Sequence, residues 1–78
     1  MIHTKAMNEQ DAARLALADE SAGWTDDEKT ILAAMAEGRD EIQTSLCGTY
    51  RRWELPGNDA VILTHEAVGG YNVGAVLH

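Results

Sequence analysis

Residues 49–66, TYRRWELPGNDAVILTHE, decide the fold. β-forming side chains alternate from Thr49 to Leu55, Pro56-Gly57-Asn58-Asp59 is turn chemistry, and Ala60 to Glu66 is rich in β-branched residues. The pattern predicts a β-hairpin. Downstream, Gly69-Gly70 predicts a second reversal, and Tyr71, Val73 and Val76 a third strand, interrupted by a bulge at Gly74.

Upstream of Gly48 the apolar period is helical. Thr25-Asp26-Asp27-Glu28 reads as a capping box, in which the Thr25 hydroxyl and the Glu28 carboxylate each accept from the other residue's backbone amide. Ile31, Leu32 and Met35 follow at helical spacing, and Gly38 stops the helix. Before it, Asn8 with Asp11 predicts the start of an Ala-rich helix from Glu9 to about Glu20, with Gly23 ending it. Its apolar stripe rests on Ala12, Leu15 and Ala16, with Met7 at one end. Residues 39–47 stay undecided between helix and strand, leaning helical: Asp40 with Gln43 suits a cap, while Ile42, Thr44 and Leu46 alternate. The expectation is one α+β domain over residues 1–78, two N-terminal helices packed on a small antiparallel sheet of about three strands.

Composition narrows the chemistry. A domain of 78 residues buries only about 60% of the surface its unfolded chain exposes. Twelve of its apolar residues are Ala and it has no Phe, so the core is thin. Cys47 is the single cysteine, which excludes an intrachain disulfide. With no apolar leader or membrane-length run, the unpaired thiol predicts a cytoplasmic protein that does not contact a membrane. The net charge of −7 disfavours direct binding of nucleic acid and favours a basic partner, including a protein that itself holds nucleic acid.

No catalytic, cofactor or metal arrangement is expected. His3, His65 and His78 lack ligand spacing, and Cys47, with no basic neighbour, reads as a small buried apolar residue. The glycines of residues 69–74 lie between strands, where no helix N-terminus holds a phosphate. Arg51 and Arg52 should point to opposite faces of their strand, with Trp53 packed on the helices.

The acids carry the functional reading. Residues 1–41 hold ten acids and four bases, and residues 42–78 three and two, giving −6 and −1. Asp19, Glu20, Asp26, Asp27 and Glu28 surround the reversal between the helices, a carboxylate surface suited to a basic groove. Trp24 beside them is either an anchor for a partner or the residue that steadies the second helix's cap.

In size, acidity, lack of catalytic motif and helix-plus-meander pattern the chain resembles the small inhibitor proteins of bacteriophages, notably anti-CRISPR proteins. These share no signature residues, so the resemblance assigns none. It implies a non-enzymatic inhibitor that blocks the nucleic-acid-binding site of a CRISPR surveillance complex, sterically or by mimicking DNA. The alternative is a self-associating structural or regulatory protein, a homodimer joined through an exposed strand edge at Val61-Ile62-Leu63 or Ala75-Val76-Leu77.

Overall fold

The computed structural model describes residues 1–76. The elements are β1 (Ile2–Thr4), α1 (Glu9–Ala18), α2 (Asp26–Glu37), β2 (Gln43–Cys47), β3 (Tyr50–Glu54), β4 (Ile62–Ala67) and β5 (Gly70–Ala75). A 3-10 turn at Glu20–Ala22 separates the helices. The strands form one antiparallel sheet in the order β1-β5-β4-β3-β2, five strands where about three were expected.

Both additional strands complete an edge. Residues 43–47 form a strand rather than a helical turn, because Gly48 and Thr49 make a two-residue reversal that sets Cys47 opposite Tyr50. Gly48 has φ 64° and Thr49 a negative φ, the combination of a type II′ hairpin turn, whose twist matches paired strands. At the other side β1 pairs with β5, Ile2 opposite Val73 and Thr4 opposite Tyr71. Three residues are too few to show a period, so this strand leaves no sequence signal.

The helix boundaries follow the caps. The Asn8 side chain accepts from Asp11 N at 2.8 Å, and the Thr25–Glu28 capping box closes in both directions at 2.7 and 3.2 Å. Helix α1 ends earlier than expected, at Ala18, because Asp19 N bonds to Ala16 O (3.1 Å) and the chain tightens into the 3-10 turn before Gly23. The helices run as an antiparallel hairpin whose free carbonyls are capped by the opposite helix or its approach. Trp24 Nε1 donates to Ala16 O at 2.8 Å, and at the far end Gln10 Nε2 donates to Ala36 O at 2.8 Å.

Ile31, Leu32 and Met35 of α2 meet Ala12, Ala13 and Ala16 of α1 and the sheet residues Ile62 and Val73 in one core. Leu15 and Met7, expected on the α1 stripe, are exposed; the alanines replace them, which lets the helices approach closely. Trp53 packs on this core as expected, whereas Cys47 lies exposed on an edge strand that no helix covers. The hairpin connection spans residues 55–61, closed by Asn58 N to Leu55 O at 3.1 Å. No bulge occurs at Gly74, which pairs in unbroken register with Leu63. Strand β4 is internal and β5 is covered by β1, so neither offers the free edge expected at residues 61–63 or 75–77; Leu77, and His78 with it, lies outside the described residues.

The attachment of β1 depends on a close backbone approach. A methyl group on Gly70 would sit 1.8 Å from the Thr4 carbonyl oxygen, with backbone on both sides of the clash. Gly70→Ala should therefore destabilise the fold by about 2 kcal/mol or more in urea melts. Gly74→Ala, whose methyl meets only Met1 atoms at 3.9 Å, should be near neutral.

Candidate protein-binding surface

The sheet has a covered and an open face, and the register assigns each strand residue to one of them. The helices lie on the face of Ile62, Thr64 and Val73. The opposite face carries a cross-strand row of His3, Asn72, His65, Tyr50 and Cys47. Tyr50 and His65 have ring centroids 5.0 Å apart, so the tyrosine stands between the histidine and the thiol. Among the described residues no three His, Cys, Asp or Glu side chains gather as a metal site, and no helix is long and apolar enough to cross a membrane.

Arg51 and Arg52 take opposite faces as expected. Arg52 pairs with Glu54 of its own strand at 3.0 Å on the open face, and Arg51 reaches Glu9 of α1 at 3.2 Å on the covered one. There they join a polar chain absent from the sequence reading. Trp53 Nε1 donates to Thr64 Oγ1 at 2.9 Å, and that hydroxyl donates to Glu9 Oε2 at 2.7 Å. Thr64 is 1% exposed, so its hydroxyl must be paired within the protein. Glu9 and Thr64 are 55 positions apart, a separation at which no local pattern links two residues.

The six residues expected to meet a partner all lie on the interhelical reversal, in different states. Asp19 is committed to the turn: its carboxylate accepts from Ser21 N and Ser21 Oγ at 3.0 and 2.6 Å. Glu28 is committed to the capping box. Trp24 is half-buried against the core and bonded to Ala16 of α1, which ties it to the end of the first helix rather than to the second helix's cap, with its remaining surface open to solvent. Glu20, Asp26 and Asp27 are exposed, and among the described residues their carboxylates make no hydrogen bond or ion pair. Asn58 Nδ2 donates to Asp27 O at 3.1 Å, bringing the 55–61 connection and its exposed Asp59 beside the α2 N-terminus.

Of these acids Glu20, with the turn-bound Asp19, lines a cleft of about 440 Å³ whose other walls are Leu17, Gly23, Trp24 and Lys29. The indole and the Glu20 carboxylate favour a cationic side chain, whose stem the ring can cover, while the Lys29 ammonium in the same lining opposes one. The −6 half of the sequence has become the helical layer and its flanks, while Glu54, paired with Arg52, is the one acid among the described strand residues on the open face.

A second acidic group, Glu37, Asp40 and Glu41, lies at the other end of α2. The Glu41 backbone amide, and after it the Arg39 guanidinium, hold the Glu41 carboxyl below its ordinary value of 4.5. A lowered folded value means that this contribution to stability is present above the ordinary value and is lost as pH falls through the lowered one. In a carboxyl NMR titration Glu41 should show a midpoint below 4.5, and Arg39→Ala should bring it part of the way back. For the polar chain, Thr64→Val should cost about 1–3 kcal/mol in urea melts by stripping Glu9 and Trp53 of a partner, with no change in far-UV circular dichroism.

Comparison with family models, characterised proteins and solved structures finds no match to this chain.

Proposed function

We propose that this protein is a small acidic inhibitor of the anti-CRISPR kind, which occupies the nucleic-acid-binding site of a CRISPR surveillance complex and excludes target DNA. It acts without catalysis or a cofactor, by steric block assisted by charge mimicry. The observation that supports this reading is the exposed, unpartnered carboxylate set of Glu20, Asp26 and Asp27 on the interhelical reversal, with Glu20 lining the Trp24 cleft, on the layer that holds most of the chain's acids. Exposed carboxylates with no internal partner are available to basic side chains without breaking a native contact. A surface of this kind raises the encounter rate with a basic groove and opposes every acidic partner.

The test is target-DNA binding by a panel of purified surveillance complexes, with the protein added at low and high salt. Inhibition of at least one complex at low salt, weakened by salt, is the expected result. Because Asp19 and Glu28 hold the turn and the cap, the informative variant is Glu20→Gln with Asp26→Asn and Asp27→Asn. At about 0.5 kcal/mol per exposed charge pair, the triple variant should lose roughly tenfold in inhibitory potency while melting close to the wild type. No inhibition of any complex, or full potency in the folded triple variant, would reject the reading.

A further inference from the structure

The two edges of the sheet are treated differently. Natural sheets blunt an edge by keeping its strand short or by placing charge, Pro or a bulge along it. The β1 edge is short, three residues followed by the exposed Lys5. The β2 edge has none of these protections. Its five residues, Gln43-Thr44-Ser45-Leu46-Cys47, are all exposed and uncharged, and pair with β3 in continuous register without a bulge. Leu46 is 71% exposed on the covered-face side.

We propose that β2 is the contact through which two copies of this chain form a reversible homodimer, its strands pairing antiparallel about a two-fold axis at Ser45. Charge sets the place and the direction of the contact. Two copies of a chain of net charge −7 repel each other overall, and β2 is a segment on which they meet without opposing acids. Asp40 and Glu41 lie just before β2 and the uncharged Gly48-Thr49 turn just after it. Antiparallel pairing sets the acids of one copy against the neutral turn of the other, whereas parallel pairing would stack acid on acid.

The register is self-complementary. Ser45 faces its own copy, Thr44 faces Leu46 of the second copy, and Gln43 faces Cys47. Each exposed leucine gains a threonine methyl as neighbour, and the edge N–H and C=O groups gain partners. The product is a continuous ten-stranded sheet, twice the five strands of one copy, with both helical layers on the same side. A five-residue edge offers less than the roughly 800 Å² per partner of a standard stable interface, so the dimer dissociates on dilution.

Sedimentation equilibrium of the full chain carrying Cys47→Ser, from about 10 µM to about 1 mM, tests the proposal. The expected result is a mass that rises toward twice the monomer's with concentration and rises further with salt, as repulsion between the two copies is screened. Ser45→Lys sets two like charges opposite each other and should weaken the dimer at least about tenfold, with an unchanged circular dichroism spectrum. Ser45→Cys in the Cys47→Ser background should oxidise to a covalent dimer, since directly paired residues meet the Cα spacing a disulfide requires. A monomer at every concentration, a dimer that survives Ser45→Lys, or failure of the Ser45→Cys variant to cross-link would each overturn it. The triple variant at Glu20, Asp26 and Asp27 leaves β2 untouched, so its dimer should persist whether or not those acids bind a partner.

Discussion

The hydroxyl of Thr64 is the constraint on which the arrangement of layers depends. It lies in the middle of the sheet, 1% exposed, where an unpaired polar group costs about 1–3 kcal/mol. It is satisfied on both sides, accepting from Trp53 Nε1 and donating to the Glu9 carboxylate, which also takes the Arg51 guanidinium. These contacts tie two adjacent strands to the first turn of α1. In a core built largely of alanine, which interlocks little, directional bonds of this kind hold the helical layer in position over the sheet.

The helical hairpin is closed by the same means. Trp24 caps a carbonyl near the C-terminal end of α1, and Gln10 caps one near the C-terminal end of α2, so each end of the hairpin is pinned by a side chain from outside the helix it caps. This shapes the acidic surface as well. Asp19 and Glu28 are consumed by the turn and the cap, which holds rigid the short segment that displays Glu20, Asp26 and Asp27. Carboxylates held in place in this way have less conformational freedom to lose on any contact than those on a mobile loop.

Polarity of charge between the layers leaves the molecule with two unlike surfaces. The acidic helical end is suited to a basic partner, and the neutral β2 edge to another strand. Salt weakens the first kind of contact and strengthens association between like-charged copies. A β2 dimer would carry two acidic layers on one side of a shared sheet, doubling the carboxylates offered to a partner that can engage both.

The sequence by itself determined the elements with strong local physics: the capping box at Thr25, the Asn8 cap, the Gly38 stop, the hairpin around Pro56-Gly57 and the opposite facing of Arg51 and Arg52. Each rests on contacts within a few residues or on the period of a strand. It also located the acidic reversal, since adjacent carboxylates in a chain stay adjacent in space. Which of those carboxylates remain free, and which serve the turn and the cap, was decided only by the folded geometry of the reversal. Tertiary structure alone decided the two edge strands, because residues 43–47 are locally balanced between helix and strand and Ile2–Thr4 is too short for a pattern; both became strands when a neighbouring edge supplied hydrogen-bond partners. It alone decided that alanines rather than Leu15 line the core, that Cys47 is exposed and that Glu9 meets Thr64, since packing and long-range pairing depend on which distant segments come together.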